Sequence, residues 1–369
     1  MSGTNLIDLL GRRWTLGSAV TAIALDATET TAAFALADGR LALAPVADPD
    51  SAVDRYHVAG DTGRATITPR RSGTAPIIVV AGEAGYRQVA AFGAAGFLAG
   101  GVAGALDIVA PNGSTTRLAS IEQPLQALVQ MNDSRVLVAL SQALMTAVPG
   151  DAGIHPLLQS DKVSPPVAVA PDGDWLAHGG AGLTLRHATD TRRGVDILTA
   201  LIPLRMTWSP DGRWLAASLA GGGIALLRFE NGRVLRTIDL PNYPAPVHAL
   251  SWDSTSRLLA TSGAYRIIVW PVEQFETDAT EPRSLPTGRS GLATVEAVAV
   301  HPQRALIAAA YESGMVVVAP IGERDELVVR TPGGDPVTAM TWSRDGQSLV
   351  LGTEAGEASI ITFPPQLFK

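Results

Sequence analysis

Residues 206–216 read Met-Thr-Trp-Ser-Pro-Asp-Gly-Arg-Trp-Leu-Ala: an alternating segment, an Asp-Gly pair and a second apolar segment. The same pattern recurs at 167–177 as Val-Ala-Val-Ala-Pro-Asp-Gly-Asp-Trp-Leu-Ala, and at 340–346 as Met-Thr-Trp-Ser-Arg-Asp-Gly. Alternation of apolar residues favours half-buried β-strands, and Asp-Gly favours the tight turn of a hairpin. The stretch therefore predicts a β-hairpin, and its recurrence predicts a protein built from repeated hairpins.

Each repeat contains two further predicted strands. A third, apolar strand follows a glycine-rich turn, as at Gly221–Gly223, and a fourth, more polar strand ends the unit, as at Arg233–Leu240. The period of about 40 to 45 residues is typical of the four-stranded blade of a β-propeller. The sequence therefore predicts an all-β, single-domain propeller over residues 1–369. First strands are expected to begin near residues 20, 87, 125, 166, 205, 247, 295 and 337.

These eight first strands favour eight antiparallel blades. The last unit has only three predicted strands, of which Ala358–Phe363 is the third. We expect the N-terminal segment Arg12–Leu16 to supply the fourth, which would remove an open sheet edge. Seven blades remain an alternative, because the first two units could merge, and a separate blade at Ala65–Ala81 would also change the count.

The repeats resemble those of the WD40 family of β-propellers over essentially the whole chain. The unit at 209–216 is a common form of that repeat, particularly in bacterial members, and Ile267–Trp270 is similar to the family's third strand. Two departures are visible. Pro271 follows Trp270 where the family usually has Asp, and no unit carries the family's Gly-His dipeptide. The resemblance implies a rigid propeller that binds other proteins, with seven as the usual blade number.

Charge and cysteine content exclude several classes of function. With 28 basic and 35 acidic side chains the net charge is −7, whereas a surface that coats nucleic acid needs clustered cations. No cysteine is present, which excludes disulfides, thiolate metal sites and cysteine nucleophiles. Val89–Leu106 is uncharged, but its five glycines favour short strands over a membrane-spanning helix. Because Met1–Trp14 also lacks the apolar run of an export signal, we expect a cytoplasmic protein without a nucleic-acid or membrane partner.

Motifs for catalysis and cofactor binding are absent from the sequence. There is no G-x-x-x-x-G-K-[ST] phosphate loop, no H-E-x-x-H zinc helix and no G-x-S-x-G nucleophile elbow. The six histidines lack ligand spacing, so we interpret His178 as a packed or channel-lining residue and His301 as a strand-end or turn residue. The sequence therefore predicts no enzymatic activity, no cofactor and no bound metal. The alternative is a small-molecule or metal site in the central channel, in a role auxiliary to metal handling.

Four of the five tyrosines fall near loops that share one end of the propeller. In a blade of this kind, the loops between strands two and three and those between strand four and the next blade lie on one face. Tyr and Arg are frequent among residues that dominate interface energies, so we expect a protein partner to bind there. The alternative is that polar aromatic residues favour strand ends for packing reasons alone. The predicted face contains Tyr86, Arg87, Arg205, Tyr243, Tyr265, Arg266, Tyr311, Glu312 and Glu354.

Two other features complete the prediction. Trp208, Trp252 and Trp342 occupy equivalent positions in first strands, which indicates packing between blades. Long connections at about 47–74 and 271–287 fall on the opposite face, where they are either binding loops or disordered. The sequence as a whole favours a non-catalytic scaffold or adaptor that displays a preformed protein-binding face.

Overall fold

The computed structural model shows a ring of antiparallel β-sheets. It describes residues 5–62, 65–81, 85–94, 96–131, 135–159, 164–180, 182–190, 192–197, 202–277 and 282–368. Within these ranges there are eight four-stranded sheets, and the first strand of each contacts the first strand of the next, from blade 1 to blade 8 and back to blade 1. The structure therefore confirms the predicted eight-bladed β-propeller.

Within blades 1 to 7 the strands follow the order of the chain, from the first strand at the central channel to the fourth at the outside, and in blade 8 the N-terminal strand takes the outer place. Blade 1 contains β2 Val20–Leu25, β3 Thr31–Leu36, β4 Arg40–Pro45 and β7 Ile78–Ala81, and blade 2 contains β8 Tyr86–Ala91, β9 Phe97–Gly101, β10 Ala105–Val109 and β11 Thr115–Ser120. Blade 3 contains β12 Leu125–Gln130, β13 Val136–Leu140, β14 Ala143–Ala147 and β15 Ile154–Gln159, and blade 4 contains β16 Ser164–Val169, β17 Trp175–Gly179, β18 Leu183–His187 and β19 Gly194–Ile197. Blade 5 contains β20 Pro203–Trp208, β21 Trp214–Leu219, β22 Ile224–Glu230 and β23 Arg233–Leu240, and blade 6 contains β24 Leu250–Trp252, β25 Leu258–Thr261, β26 Ile267–Pro271 and β27 Leu285–Thr287. Blade 7 contains β28 Val295–Val300, β29 Leu306–Tyr311, β30 Val316–Pro320 and β31 Leu327–Arg330, and blade 8 contains β32 Val337–Trp342, β33 Ser348–Thr353, β34 Glu357–Thr362 and β1 Gly11–Thr15. Outside the blades lie helix α1 Leu6–Leu10, the ribbon of β5 Tyr56–Val58 and β6 Ala65–Ile67, and 3₁₀ turns at Val272–Phe275 and Pro365–Phe368.

The N-terminal strand closes the ring, as predicted. β1 pairs antiparallel with β34, with Gly11 opposite Ile361 and Thr15 opposite Glu357. This pairing covers the outer edge of the third strand of blade 8, which would otherwise present free backbone groups. The short helix α1 precedes β1 and buries two residues in the core between blades 7 and 8. No helix in the described ranges is long and apolar enough to span a bilayer.

The segment 65–81 does not form a separate blade. Its first part, β6, pairs only with β5 in a two-stranded ribbon, and its last part, β7, is the fourth strand of blade 1. The connection of 46–77 is therefore an insertion within blade 1. Ala52 is fully buried and Ile67 packs against the core between blades 7 and 8, so this insertion spans the closure of the ring.

Buried arginines hold the insertion in place. The guanidinium of Arg12, on the closing strand β1, donates hydrogen bonds to the carbonyl oxygens of residues 45–47 at 2.5 to 3.1 Å. Asp48 accepts two hydrogen bonds from Arg70, at 2.6 and 3.0 Å, and lies 3.7 Å from Arg12 Nε. Burial opposes ionisation of Asp48, but the hydrogen bonds from Arg70 and from the Asp50 N–H, together with the charges of Arg12 and Arg70, outweigh it and lower the pKa of this carboxyl. This connection is therefore ordered over its described residues by an ionic network.

The tryptophans pack between blades, which confirms their predicted role. Phe229 of blade 5 lies edge-on to Trp175 of blade 4, with ring centroids 4.9 Å apart, and to Trp208 of its own blade at 5.3 Å. Trp342 Nε1 of blade 8 donates to the carbonyl oxygen of Ala299 in blade 7 at 3.0 Å. Rings in these edge-on arrangements add to the free energy gained by apolar burial.

The recurring Asp residues form turns. In blade 5, Ser209 Oγ donates to Asp211 Oδ1 at 2.6 Å and accepts from the Trp214 N–H at 3.0 Å. Gly212 adopts φ +69°, a left-handed conformation that favours glycine. Residues 343–346 repeat the serine-to-aspartate hydrogen bond at 2.6 Å in blade 8. These hydrogen bonds explain why the Asp-Gly pattern recurs, because each pair terminates one strand and begins the next.

Candidate protein-binding face

One end of the propeller carries the loops that the sequence predicted as a binding face. We call this end the loop face. It comprises the described residues of 16–19, 37–39, 85, 102–104, 121–124, 141–142, 180–182, 202, 220–223, 241–249, 262–266, 288–294, 312–315, 331–336 and 354–356. The opposite end carries the insertion of blade 1 and the connection that follows β26, as predicted.

Tyr86 does not belong to the exposed part of this face. It lies at the start of β8 beneath blade 1, and no part of its side chain reaches the surface. Its hydroxyl donates to Asp107 Oδ2 at 2.7 Å, and Asp107 is also paired with Arg117 at 2.5 Å. Burial and the hydrogen bond to Asp107 raise the pKa of Tyr86 well above its usual range. This corrects the prediction for Tyr86, because a side chain without exposed surface cannot contact a partner.

Tyr311 requires the same correction. It ends β29 and packs between blades 6 and 7, with 1% of its surface exposed. Burial raises the pKa of Tyr311, and its hydroxyl has no hydrogen-bond partner in the part of the chain that the structure describes. The alternative interpretation of the tyrosines, packing at strand ends, therefore applies to Tyr86 and Tyr311.

Tyr243 is a half-buried residue of the connection between blades 5 and 6. Its hydroxyl accepts from Trp270 Nε1 at 2.8 Å and shares a hydrogen bond of 2.8 Å with Thr261 Oγ1. Burial raises the pKa of Tyr243 to about 12. Because the hydroxyl is hydrogen-bonded to two side chains inside the protein, Tyr243 holds the conformation of its loop.

Tyr265 and Arg266 are exposed, as the prediction requires. They lie in the turn between β25 and β26, where 49% of Tyr265 is accessible to solvent. The carbonyl oxygen of Tyr265 accepts from the Gly291 N–H at 2.9 Å, which ties this turn to the connection 288–294. Leu292 on that connection is 97% exposed and was not predicted. Tyr265 and Leu292 therefore lie on two loops that are hydrogen-bonded to each other.

Three of the four remaining predicted residues line the central channel. A cavity of about 910 Å³ opens at the loop-face end of the channel, and three predicted residues line it together with others that were not predicted. We call this cavity the channel mouth. Its predicted residues are Arg205, Glu312 and Glu354, and its other polar residues include Thr21, Thr207, His248, Glu296 and Thr338. Arg87 is exposed on β8 but is not among the lining residues. The channel mouth is where the alternative prediction placed a ligand, and that alternative stays a prediction.

A repeated irregularity of the first strands shapes the channel mouth. In seven blades the pairing of the first strand with the second shifts by one or more residues near the loop face. Such bulges turn side chains away from the regular alternation of a strand. They place Thr21, Arg87, Gln126, Glu296 and Thr338 between the shifted pairs. Blade 6 differs, because Ser262 Oγ accepts from the N–H groups of His248 and Ala249, both at 2.9 Å.

Thr294 joins two carboxylates at the channel mouth. Its hydroxyl oxygen lies 2.8 Å from Glu296 Oε1 and 2.9 Å from Glu312 Oε2. The Glu312 N–H also donates to the Thr294 carbonyl oxygen at 2.9 Å. Because a hydroxyl has one hydrogen, it can donate to only one of the two carboxylates at a time. Thr294 therefore holds two acidic groups side by side, and they share one donor.

Glu296 and Thr338 could have been found from the sequence. In several units the first strand opens with an apolar residue followed by a polar one, as in Val295-Glu296 and Val337-Thr338. The polar residue at this second position is the one that lies between the shifted pairs, so its recurrence marks the bulges. Leu292 gave no comparable signal, because a single apolar residue in a loop is compatible with either burial or exposure.

The buried histidines have structural roles. His301 caps the turn after β28, where its Nδ1 accepts from the N–H groups of Gln303 and Arg304, both at 3.1 Å. His178 is 2% exposed in β17, and its Nδ1 donates to the Gly179 carbonyl oxygen at 2.7 Å. Burial lowers the pKa of both imidazoles. The described ranges contain no group of three or more His, Cys, Asp or Glu side chains arranged to hold a metal ion.

Comparisons with known proteins identify the fold. No family model and no curated protein matches the sequence. Solved structures match it over nearly the whole length. Sqt1 from Chaetomium thermophilum aligns with a TM-score of 0.70 at 14% identity and covers 96% of this chain and 97% of its own. The chain has the fold of a WD40 propeller.

Two further structures give the same result. The Dos1 propeller aligns with a TM-score of 0.69 at 12% identity, over 98% of this chain and 97% of its own. Sqt1 bound to the N-terminus of the ribosomal protein L10 aligns with a TM-score of 0.67 at 14% identity, over 94% of this chain and 97% of its own. At these identities the similarity concerns the fold.

Proposed function

We propose that this chain is a non-catalytic, cytoplasmic scaffold whose loop face binds another protein. The observation that carries the proposal is the placement of exposed apolar side chains on that face. They are Leu292 at 97% exposure, Ile202 at 60%, Val102 at 58% and Tyr265 at 49%. Leu292 and Tyr265 lie on adjoining loops, and apolar side chains exposed together in this way are typical of surfaces that a protein partner covers. Ile202 and Val102 lie on the same face in blades 5 and 2.

The loops that present these residues are tied together. The Val295 N–H donates to the Ala264 carbonyl oxygen at 2.8 Å, and the Gly263 N–H donates to the Val295 carbonyl oxygen at 2.9 Å. With the Gly291 to Tyr265 hydrogen bond, these contacts join the turn of blade 6 to the connection that enters blade 7. A surface held in this way loses little conformational entropy on binding, which favours affinity.

A structural neighbour supports the proposal. Sqt1, which shares the fold, has been solved in complex with the N-terminus of the ribosomal protein L10. A propeller of this fold can therefore bind a segment of another protein. For the present chain we propose the loop face as the site of such binding, because Leu292 and Tyr265 lie there.

The test is affinity capture from a native lysate followed by mass spectrometry. The test protein carries Leu292→Asp and Tyr265→Ala, and the matched control carries Leu235→Asp, which changes an equally apolar, 60% exposed residue on the outer strand β23. We expect a stoichiometric partner to be captured by the wild type and the control, and to be reduced about tenfold in the double variant.

Circular dichroism and thermal unfolding establish that all three proteins fold before capture is compared. Equal capture of the same partner by the wild type and the double variant would show that the loop face is not the binding site. Failure of the wild type to capture any protein would contradict the scaffold function itself.

A further inference from the structure

We infer that the loop face binds a basic, extended segment of a partner protein. A lysine or arginine side chain of that segment enters the channel mouth, and a neighbouring apolar side chain packs on Leu292 and Tyr265. This inference rests on the proposed function, because it specifies the partner chemistry for the same face. It follows from the juxtaposition of an acidic cavity wall with exposed apolar residues on two adjoining loops.

The wall of the channel mouth formed by blades 7 and 8 is acidic. Glu296 and Glu312 line it from blade 7 and Glu354 from blade 8, whereas Arg205 and His248 lie on blades 5 and 6. Within the described ranges, none of these three carboxylates is paired with a basic side chain of the protein. A cationic side chain is therefore the complement of this wall.

The arrangement of Glu296 and Glu312 favours such a cation. Both carboxylates lie within 2.9 Å of the hydroxyl oxygen of Thr294. Because that hydroxyl has one hydrogen, one of the two carboxylates lacks a hydrogen bond from it at any moment. A guanidinium supplies five N–H donors and an ammonium three, and either can donate to both carboxylates at once. A bound cation also offsets the repulsion between two like charges held side by side.

The apolar part of the surface adjoins this wall. Leu292 precedes Thr294 by two residues and Glu296 by four on the same stretch of chain, and Tyr265 is hydrogen-bonded to the intervening loop through Gly291. An extended peptide advances about 3.3 Å per residue, so residues two to four positions apart can reach both places. A side chain that extends from such a segment fits a channel opening, whereas a flat folded surface does not reach into it.

The test uses a phage library of random peptides selected on the wild-type protein, followed by fluorescence anisotropy with the enriched peptides. We expect enrichment of sequences with a lysine or arginine two to four positions from a large apolar residue. Glu296→Gln with Glu312→Gln should weaken their binding about tenfold, and Leu292→Asp should weaken it by a similar factor. The matched control is Glu323→Gln with Asp325→Asn, which makes the same change in net charge in the exposed connection between β30 and β31.

Two results would overturn the inference: a library without enrichment of basic residues, or equal binding to the Glu296→Gln/Glu312→Gln variant and the wild type. If native capture is lost in the Leu292→Asp/Tyr265→Ala variant while the selected peptides are acidic or neutral, the loop face binds protein and only the partner chemistry is wrong. If the wild type captures no protein from the lysate and the library yields no binding peptide, the proposed function and this inference are both wrong.

Discussion

His301 Nε2 donates a hydrogen bond to the carbonyl oxygen of Gly346 at 3.1 Å, which joins blade 7 to blade 8 through a single imidazole. The other ring nitrogen, Nδ1, accepts from two backbone N–H groups of its own turn. Only the neutral ring with its proton on Nε2 can make all three hydrogen bonds. The ring also packs against Trp342, with centroids 4.9 Å apart. Protonation of Nδ1 therefore removes the acceptor of the two N–H groups in the turn of blade 7, whereas Nε2–H can still donate to Gly346.

This relationship predicts that stability falls in mild acid. Burial lowers the pKa of folded His301 below the ordinary value of 6.5, so the unfolded chain takes up the proton first as the pH falls. The contribution of His301 is complete above about pH 6.5 and is lost as the pH falls through the lower folded-state pKa. We expect His301→Asn, which loses the bond to Gly346, to cost about 1 kcal/mol at neutral pH and to flatten the pH dependence. Urea unfolding at several pH values measures both effects, and an unchanged slope in the variant would contradict this role.

The closing strand supplies a second prediction, from two adjacent arginines. Arg12 is 1% exposed and its guanidinium serves three carbonyl oxygens, so Arg12→Ala should lower the free energy of unfolding by about 3 to 5 kcal/mol. Arg13 is half exposed, and its ion pairs with Asp8 at 3.3 Å and Glu357 at 3.9 Å lie in solvent. Arg13→Ala should therefore cost at most about 1 kcal/mol. Comparable losses in the two variants, measured by urea denaturation, would refute the role of Arg12 as the anchor of the insertion.

The two buried tyrosines should respond differently to loss of their hydroxyl groups. Tyr86→Phe removes a donor from the buried carboxylate of Asp107, and we expect a loss of about 1.5 to 3 kcal/mol. Tyr311→Phe removes a hydroxyl that has no partner in the described part of the chain, so stability should change by less than about 0.5 kcal/mol or rise. The free energy of unfolding of the two variants, measured by chemical denaturation, distinguishes these outcomes. A large loss in Tyr311→Phe would reveal a hydrogen bond that the structure does not contain.

A fourth prediction concerns the one described first strand without a bulge. Ser262→Ala leaves the N–H groups of His248 and Ala249 without their acceptor, which should cost about 1 to 3 kcal/mol. Ser218 occupies the equivalent place in blade 5, fully buried and without a hydrogen-bond partner among the described residues. Ser218→Ala should therefore be neutral or stabilising. Thermal unfolding of the two variants tests the pair, and equal losses would show that Ser262 does not hold the start of the first strand in blade 6.

Much of the architecture follows from local patterns in the sequence. The turn at 209–212 and its repeat at 343–346 are recognisable because serine, aspartate and glycine each meet a requirement within one turn. Blade number follows from counting such units, and the role of β1 follows from a strand missing in the last unit. The turns depend on interactions over a few residues, and the missing strand is found by counting units, so a single sequence suffices to predict these features.

The surface could not be predicted in the same way. Tyr86 and Tyr265 both lie near strand ends, yet blade 1 covers one and solvent surrounds the other. That difference depends on how the preceding blade packs, which local sequence does not encode. Likewise, Arg205 and Glu354 line one cavity only because the ring brings together first strands that are far apart in the chain. The prediction placed both residues on one binding face but not in a common cavity.

The pairing of β1 with β34 also governs the order in which the molecule can be made. At about 5 to 20 residues per second, a ribosome needs tens of seconds to synthesise the chain between these two strands. During that time Arg12 and Trp14 have no partner strand, although both end up buried. Seven blades can assemble during translation, but the eighth requires a contact between segments at opposite ends of this sequence, which is slow to form. Ring closure therefore has to wait until β34 has been synthesised, and until then the nascent protein exposes a strand edge that chaperones and proteases can recognise.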